Sequence, residues 1–323
     1  MSGAAPLLEL RALSVGFRGG AIQAVDGVDL AIASGETLAV VGESGSGKSV
    51  TALAILRLFG REDGVVARGQ VLFQGEDLLA LPEAALRQRR GRDIGIIFQD
   101  PGASLNPVFT VGEQVAEAVR RHQGLATKPA LARALELLRE VGLSDPEARL
   151  RSYPHQLSGG MRQRVMIAIA LACAPKLLIA DEPTTALDVT IQAQILKLLQ
   201  ALQARTGMAL LFITHDLALV AEIADRIAVM YAGQVVESGR AAEVLARPLH
   251  PYTRALLACR PHRGPSGRVE FAPIPGAPPR GRFPEGCRFA ARCALAAEGC
   301  AAPQPLLAVE DRATRCHRWG LLA

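Results

Sequence analysis

The sequence predicts an α/β fold built around a mostly parallel sheet, and two observations support this prediction. Five short runs are almost continuously apolar, as strands buried on both faces are: residues 37–41, 94–98, 177–180, 209–213 and 227–230. Stretches with helical periodicity lie between these runs, at residues 49–58, 131–141, 161–172 and 190–203. Strands that alternate with helices are typical of a parallel sheet with helices on its faces.

Two further segments predict subdomains beside this sheet. Residues 8–17 and 70–75 have the pattern of antiparallel strands and predict a small β subdomain. Residues 101–157 are helical in pattern and lack a buried strand, so we expect an inserted helical subdomain there. The predicted architecture is therefore a sheet core with one antiparallel β subdomain and one helical subdomain.

The composition changes after residue 262, and this change predicts a separate C-terminal region. Residues 264–267 (GPSG) and 273–279 (PIPGAPP) predict a stiff, extended linker. The segment that follows the linker holds four of the six cysteines. We therefore expect a main domain over residues 1–260 and an extension over residues 261–323.

The composition argues against a membrane-spanning or secreted chain. Half of the 323 residues are hydrophobic (50%), yet no apolar run reaches the roughly 18 residues that a spanning helix needs. Glu9 and Arg11 stand where a secretory signal would have its apolar segment. We therefore expect a cytosolic chain that reaches a membrane only through a partner.

The net charge of +5 raises the possibility of an anionic partner such as nucleic acid or acidic lipid. The densest basic run, residues 87–92 (RQRRGR), has no interleaved aromatics, and only 4% of all residues are aromatic. Single-stranded nucleic acid is usually held by stacking on aromatic side chains. We therefore predict no nucleic-acid partner, and interpret the run as a solvated helix face or as a face near acidic lipid headgroups.

A glycine-rich motif follows the first of the buried strands. Residues 42–49 (GESGSGKS) fit the pattern G-x-x-x-x-G-K-[ST] and precede a helical stretch. In this pattern backbone N–H groups surround phosphate, the lysine meets the β and γ oxygens, and the last serine binds Mg²⁺. The motif predicts a P-loop NTPase (RecA-like) core that binds a nucleoside triphosphate with Mg²⁺. The predicted nucleotide-binding residues here are Gly42, Glu43, Ser44, Gly45, Ser46, Gly47, Lys48, Ser49 and Val50.

Two carboxylates follow the third buried strand. Asp181 and Glu182 come directly after the apolar run 177–180, at the strand end where α/β sheets bind ligands. Asp181 can reach Mg²⁺ through water, and Glu182 can polarise the water that attacks the γ-phosphate. A surface acidic pair that opens a turn before Pro183 is the alternative. The phosphate-binding motif in the same chain favours hydrolysis.

A second phosphate-binding pattern lies between these two motifs. Residues 157–161 (LSGGM) place small residues at the start of a long helix, where N–H groups and Ser158 can bind phosphate. One triphosphate cannot easily use both surfaces. At this point the sequence resembles the ATP-binding cassette (ABC) family, whose signature is LSGGQ. Met161 replaces the glutamine, while Ser158, Gly159 and Gly160 match.

The resemblance covers about residues 8–260 and implies roles for four more residues. It implies that Gln99 contacts Mg²⁺ and communicates with the membrane subunit, and that Asp188 lies in a loop crossing a dimer interface. It also implies that His215 senses the γ-phosphate and that Phe17 lies against adenine. Taken alone, His215, Gln99 and Phe17 also fit ordinary core or capping positions. By the same resemblance, two such domains close head to tail around two ATP molecules.

Further residues resemble the dipeptide/oligopeptide (and nickel) importer branch of the family. They are Asp100-Pro101 with the run 104–107 (SLNP), the run 250–254 (HPYTR), and the Pro-rich linker with its cysteine-containing tail. The branch implies peptide uptake with three kinds of partner: a second, different ATPase chain, two permease subunits and an extracytoplasmic peptide-binding protein. It also implies a peripheral position on the cytoplasmic face of the inner membrane.

Two alternatives to peptide import remain. Within the importers, the cargo could be nickel or another small solute. From another class, a soluble ABC ATPase of DNA maintenance has a similar core, but such proteins insert long coiled coils between the phosphate loop and the signature. Only about 110 residues separate Lys48 from Ser158 here, which favours a transporter.

Four cysteines of the tail are candidate metal ligands. Cys287, Cys293, Cys300 and Cys316 are separated by five, six and fifteen residues. In a reducing cytosol, clustered thiols more often bind metal than form disulfides. The spacing lacks the C-x-x-C pairs of zinc ribbons and suits a Cys₄ iron–sulfur cluster. The resemblance adds that some members of the branch carry a [4Fe–4S] cluster in this tail; zinc and free cysteines are the alternatives.

Overall fold

The computed structural model describes residues 5–60, 63–185, 187–259, 262–263, 269–270, 272–279, 281 and 283–322. The chain divides into two compact units. We call Leu8–Ala31, Thr37–Leu79 and Thr214–Ala323 the phosphate-loop unit, because it contains residues 42–49. We call Met1–Leu7, Ile32–Glu36 and Ala80–Ile213 the signature unit, because it contains residues 157–161. Within the described ranges, no helix is long and apolar enough to cross a membrane.

The predicted buried strands are all present. In the described part of the chain the strands are β1 (Leu8–Phe17), β2 (Ile22–Ile32), β3 (Thr37–Val41), β4 (Val66–Phe73), β5 (Glu76–Asp77), β6 (Ile94–Ile97), β7 (Leu177–Asp181), β8 (Ala209–Thr214), β9 (Arg226–Tyr231), β10 (Gln234–Arg240), β11 (His262–Arg263), β12 (Val269–Glu270), β13 (Leu307–Val309) and β14 (Arg312–Thr314). The five predictions are confirmed as β3, β6, β7, β8 and β9, each within one residue at either end. Nearly every side chain of these strands is buried, which explains their continuous hydrophobicity.

The four predicted helical stretches are also present. The helices of the described residues are α1 (Lys48–Ile55), α2 (Glu83–Arg89), α3 (Pro101–Ser104), α4 (Val111–Gln123), α5 (Thr127–Glu140), α6 (Pro146–Arg149), α7 (Gly159–Leu171), α8 (Val189–Thr206), α9 (Leu217–Ile223), α10 (Ala241–Ala246) and α11 (Pro251–Ala258). The predictions correspond to α1, α5, α7 and α8. The basic run 87–92 begins in α2 and forms ion pairs with acidic neighbours: Arg90 with Glu83 at 2.6 Å and Arg89 with Asp93 at 2.9 Å.

The phosphate-loop unit contains two larger sheets. In the first, with order β2-β1-β4-β5, β4 pairs antiparallel with β1 and β5, which confirms the predicted antiparallel subdomain. In the second, β3 is parallel to β9, and β9, β10 and β14 follow as antiparallel neighbours. Because β13 and β14 lie in the C-terminal extension, the extension adds two strands to this sheet.

The extension also contributes to the buried core of the phosphate-loop unit. Phe289, which is 3% exposed, belongs to one hydrophobic cluster with residues of β3, β9, α9, α10 and α11. Its ring centroid lies 5.3 Å from those of Tyr231 and Tyr252. Of the predicted linker, residues 273–279 form no helix or strand, and residues 264–267 lie outside the described residues. The domain boundary between residues 260 and 261 stays a prediction.

The signature unit combines a parallel sheet with a group of helices. β6, β7 and β8 are parallel neighbours, with Ile179 opposite Ile96 on one side and Leu211 on the other. The described residues 101–157 contain α3 to α6 and a 3₁₀ turn but no strand, so their predicted helical content is confirmed. α4 begins at a capping box, in which Thr110 and Glu113 each accept a hydrogen bond from the other's backbone N–H. α4 and α5 contact α7, which begins with the signature.

Candidate nucleotide site

The phosphate loop joins β3 to α1 in a conformation that requires glycine. Gly42 and Gly47 both have positive φ angles, +153° and +104°. A Cβ at Gly47 would lie 2.7 Å from the carbonyl oxygen of Ala24, so no larger residue fits there. The Ser46 N–H donates to the Glu43 carbonyl (3.2 Å), and the Thr51 N–H donates to the Gly47 carbonyl (2.9 Å). The loop therefore curls back on itself before the first turn of α1.

The ε-amine of Lys48 lies against the carbonyls of its own loop. It donates to Gly42 at 2.8 Å and to Glu43 at 3.0 Å, and the side chain is almost completely buried. The hydroxyl oxygen of Ser46 is also buried and has no hydrogen-bond partner among the described residues. A buried polar atom without a partner is uncommon in a folded protein, which makes the Ser46 hydroxyl a candidate ligand-binding group. Ser44 and Gly45 are exposed, and Ser49 and Val50 are half-buried.

The loop is supported by residues that are distant in sequence. The Glu43 N–H donates to the hydroxyl oxygen of Tyr252 in α11 (2.8 Å), and the Gly233 N–H donates to the Ser46 carbonyl (2.9 Å). Burial raises the pKa of Tyr252 far above its usual value, so its hydroxyl stays protonated. This support has no local signal in the sequence, because Tyr252 lies 209 residues beyond Glu43 and no motif joins them.

The predicted carboxylates lie at the end of β7. Asp181 closes the strand and is 6% exposed. Glu182 follows with a φ of +47°, and its N–H donates to the Ile213 carbonyl at 2.9 Å. Positive φ in a glutamate costs energy, and residues with such strained backbones cluster at active sites and ligand clamps. The structure therefore fixes the direction in which the Glu182 side chain leaves the strand.

Two side chains hold the carboxylate of Glu182. Its Oε2 accepts a hydrogen bond from Nε2 of Gln99 (3.2 Å) and another from the hydroxyl of Thr185 (2.8 Å). The structure thus brings together Gln99 and Glu182, which are 83 residues apart in sequence. Thr185 is an additional neighbour that the sequence analysis did not single out. The roles predicted for Gln99, Asp181 and Glu182 in catalysis and Mg²⁺ binding stay predictions.

The signature residues lie at an exposed helix start. Ser158 caps α7, and its hydroxyl oxygen accepts a hydrogen bond from the Met161 N–H at 3.3 Å. Ser158 and Gly159 are exposed, and Gly160 is half-buried. Asp188 is exposed too and caps α8 by accepting from the Ile191 N–H at 2.9 Å. Ser158, Gly159 and Asp188 are therefore accessible on this chain for the predicted contacts with a partner's nucleotide.

Phe17 and His215 both belong to the phosphate-loop unit, and each lies at or next to the end of a strand. Phe17 is the last residue of β1, is half-buried, and meets Phe59 edge-to-face with ring centroids 5.9 Å apart. His215 directly follows β8 and is exposed. The contacts of Phe17 with adenine and of His215 with the γ-phosphate stay predictions.

The four tail cysteines are neighbours in the phosphate-loop unit. The Cys287 N–H donates to the Cys300 carbonyl at 2.8 Å, and all four side chains are half-buried. Burial raises the pKa of Cys287 and of Cys316, and the other tail thiols raise these pKa values further. Nevertheless, among the described residues no group of three His, Cys, Asp or Glu side chains could hold a metal ion.

Comparisons with known proteins identify the family. Residues 25–185 match the ABC transporter family, and residues 236–300 match the oligopeptide/dipeptide transporter C-terminal region. The solved structure of MJ0796, a bacterial ABC transporter cassette in a dimeric state, superposes with a TM-score of 0.64 at 30% identity. That match covers 72% of this chain and 98% of MJ0796.

Curated relatives match over nearly the whole chain. A protein of Brucella melitensis biotype 1, described as a putative peptide import ATP-binding protein, is 50% identical over 98% of both chains. The oligopeptide transport ATP-binding protein OppD of Bacillus subtilis is 53% identical over 90% of this chain and 82% of its own length. The chain therefore belongs to the ABC transporter family, within the branch that carries the oligopeptide/dipeptide transporter C-terminal region.

Proposed function

We propose that this chain is the ATP-hydrolysing subunit of an ABC importer that takes up dipeptides or oligopeptides. The observation that carries the proposal is the combination, in one chain, of a complete phosphate loop with the C-terminal region of oligopeptide/dipeptide transporters. The relatives named above, whose descriptions are peptide import and oligopeptide transport, support peptide as the cargo. The reaction is ATP + H₂O → ADP + phosphate, coupled to transport.

The phosphate loop binds the triphosphate. Lys48 leaves the Gly42 and Glu43 carbonyls and bonds to the β and γ oxygens, since its ammonium gains more from phosphate than from neutral carbonyls. The unpartnered hydroxyl of Ser46 gains an acceptor or donor at the same time. Ser44 and Gly45 are exposed residues, and their N–H groups complete the cradle.

Mg²⁺ fits the oxygen-rich residues proposed to hold it. Ser49, Gln99 and Asp181 supply a hydroxyl, an amide oxygen and a carboxylate, which are the donors that Mg²⁺ prefers. A Mg²⁺ site in a nucleotide enzyme needs only one or two carboxylates beside the substrate phosphates, so a cage of acidic residues is not required. When bound, the ion neutralises charge on the phosphates.

Glu182 accepts the proton of the attacking water, or polarises it. Hydrogen bonds from Gln99 and Thr185 hold its carboxylate in place, next to a backbone in the left-handed conformation. Holding a general base in place lowers the entropic part of the barrier. His215 senses the γ-phosphate, and Phe17 lies against adenine.

The partners follow from the same proposal. A second ABC ATPase, a different and homologous chain, presents its phosphate loop to Ser158, Gly159 and Gly160, and Asp188 lies at that interface. Two permease subunits carry the cargo through the membrane, and an extracytoplasmic binding protein delivers it. The chain works at the cytoplasmic face of the inner membrane. Nickel or another small solute is the second candidate cargo, and no observation on this chain favours it over peptide.

Glu182→Gln in the complex with its permease tests the proposal. ATP turnover should fall about 10³-fold, because the amide cannot accept the proton, while ATP still binds. Unchanged ATP turnover would contradict the role of Glu182 as the general base. Uptake of labelled peptides and of Ni²⁺ into proteoliposomes decides the cargo: ATP-dependent entry of Ni²⁺ without peptide uptake would overturn peptide import.

For the tail we propose a [4Fe–4S] cluster held by Cys287, Cys293, Cys300 and Cys316. Its support is the donor set of four thiols, which matches cluster ligation, and their position in one neighbourhood. Among the described residues no group of three such side chains could hold a metal ion, so the support comes from the donor set and not from a formed cage. Anaerobic purification with iron and sulfide analysis tests it. Four iron and four sulfide per chain are expected; stoichiometric zinc, or metal-free protein, would refute it.

A further inference from the structure

A residue of the C-terminal extension reaches the phosphate loop. Both terminal nitrogens of Arg292 donate to the carboxylate of Glu43, Nη1 to Oε2 at 2.7 Å and Nη2 to Oε1 at 3.0 Å. The pair is bidentate and largely buried, with side-chain exposures of 5% for Arg292 and 27% for Glu43. Glu43 is the second residue of the loop, and 249 residues separate it from Arg292. Both residues belong to the phosphate-loop unit.

Arg292 is itself held firmly in place. Its Nε donates to the Pro275 carbonyl at 2.7 Å, in the Pro-rich segment before the cysteines. Its guanidinium lies 5.8 Å from the ring centroid of Tyr231 and 5.9 Å from that of Phe289. A guanidinium with these contacts presents its two outer nitrogens in one direction only. The extension therefore offers the loop a fixed cation.

Glu43 is in turn the residue through which the loop is held. Its side chain binds Arg292, its N–H binds the Tyr252 hydroxyl, and its carbonyl accepts a hydrogen bond from Lys48. Any shift of Glu43 therefore moves the carbonyl that positions the Lys48 ammonium. It also moves the N–H groups that follow in the loop.

The charge of Glu43 gives the pair a second consequence. The carboxylate belongs to a loop that binds a triphosphate, and an unpaired negative charge there would repel the substrate. Pairing with Arg292 cancels that charge before ATP arrives. A pair that served only to attach the extension would not need to end on the phosphate loop. The extension has other anchors, such as Arg315, which donates to the Val235 carbonyl of β10 at 2.9 Å.

We propose that Arg292 is a positioning residue for ATP binding: by neutralising and fixing Glu43, it makes nucleotide affinity depend on the folded C-terminal extension. This inference rests on the proposed ATPase function, because it assigns a role at the same loop. It assigns no catalytic step to Arg292, which touches neither Glu182 nor Gln99 in the described hydrogen bonds.

The test compares Arg292→Met with Arg315→Met in the full-length chain assembled with its permease. Arg292→Met should raise KM and Kd for MgATP about 10-fold with little change in kcat, because ground-state binding of phosphate is weakened. Arg315→Met removes an arginine of the same extension that does not contact the loop, and should leave both constants within about 2-fold. Melting temperatures of both variants are measured in parallel.

Two additional variants separate charge from packing. Glu43→Gln added to Arg292→Met should recover most of the lost affinity, because the uncompensated carboxylate is gone. Arg292→Lys should keep most of it, because the positive charge remains although the bidentate geometry is lost. Equal KM values for wild type and Arg292→Met, or a double variant no better than Arg292→Met, would overturn the inference. Absence of turnover in the wild-type complex would instead refute the proposed function, and Kd measurements would still test Arg292.

Discussion

The phosphate loop and the signature both place serine and glycine at a helix N-terminus, and they differ in how tightly the first glycine of each is enclosed. At the phosphate loop, a Cβ on Gly42 would lie 2.1 Å from the Met230 carbonyl oxygen, and its φ is +153°. At the signature, Gly159 has no positive φ, and the nearest described atom to a Cβ there is Leu187 Cδ2 at 3.6 Å. The fold of this chain requires glycine at position 42 and tolerates a larger residue at position 159.

The difference in burial leads to the same conclusion. Lys48 is buried, and its amine is bound by the loop carbonyls, whereas Ser158 and Gly159 are exposed. The phosphate loop is thus a structure that this chain completes by itself. Gly159 is open, so the reason for a glycine at this position lies in what contacts it from outside, whereas a Cβ at the half-buried Gly160 would lie 2.9 Å from Cγ2 of Ile191. A partner's nucleotide, as proposed above, is such a contact.

Substitution of Gly42 should have the largest effect. In Gly42→Ala the new methyl group overlaps the Met230 carbonyl, and the loop must shift, so we expect a loss of about 3 kcal/mol in unfolding free energy. MgATP binding should be lost with it. Urea unfolding and titration calorimetry measure both quantities.

Gly45→Ala is the matched control for Gly42→Ala. Gly45 also has a positive φ, +79°, but nothing lies within 4 Å of the added Cβ. Gly45→Ala should lower the unfolding free energy by only about 1 kcal/mol, which is the cost of backbone strain. Wild-type ATP affinity in Gly42→Ala would show that the close approach to Met230 is unimportant, and would remove the contrast between the two helix starts.

Gly159→Ala should separate stability from activity. We expect the unfolding free energy to change by no more than about 0.5 kcal/mol, because the methyl group has room and alanine favours helix. ATP turnover of the assembled complex should fall about 100-fold, since the methyl group would displace the phosphate from the N–H groups of α7. ATP binding to the isolated chain should be unaffected.

The control for Gly159→Ala is Gly124→Ala, at the C-cap of α4, where φ is +67° and nothing lies within 4 Å. That variant should lose a little stability and no turnover. Wild-type turnover in Gly159→Ala would mean that position 159 needs no glycine in the assembled complex either, which contradicts the proposed contact.

Local sequence patterns were sufficient for the features that depend on neighbours in the chain. Continuous apolar runs identified β3, β6, β7, β8 and β9, because strands buried on both faces have no polar side to display. The phosphate-loop and signature motifs could also be recognised in the sequence, because the residues of each motif are adjacent in the chain. Each is a short segment in which backbone N–H groups and small residues act together.

Features set by long-range packing could not be predicted in this way. β10 contains Glu237, a residue type that normally marks a surface, yet its carboxylate is completely buried and accepts the N–H groups of Leu249 and His250. The contact of Arg292 with Glu43 joins residues 249 positions apart, and neither side chain has a pattern that signals the other. The position of the extension beside the loop follows from the core around Phe289, which only the folded chain defines.

The support of the phosphate loop should also be sensitive to acid. His250 is the N-cap of α11, the helix that carries Tyr252, and is 1% exposed; its Nδ1 accepts the Tyr252 N–H at 3.1 Å. Burial lowers the pKa of His250 from 6.5 to about 3. Between pH 3 and pH 6.5, His250 binds a proton in the unfolded chain but not in the folded chain. The free energy of unfolding therefore decreases as the pH falls below 6.5. At pH 5 the loss from His250 is about 2 kcal/mol relative to pH 7.

His250→Asn isolates this contribution. The asparagine oxygen can still cap α11, but it does not titrate, so the variant should lose about 2 kcal/mol less than wild type between pH 7 and pH 5 in urea unfolding. Glu237 acts in the opposite direction, because burial raises its pKa above 4.5 and its folded form binds the extra proton, but it is unchanged in both proteins. In hydrogen exchange at pH 5, backbone N–H groups around Glu43 and Tyr252 should lose protection earlier in the exchange time course than those around Ser158. Equal pH dependence in both proteins would show that His250 does not link acid to the phosphate loop.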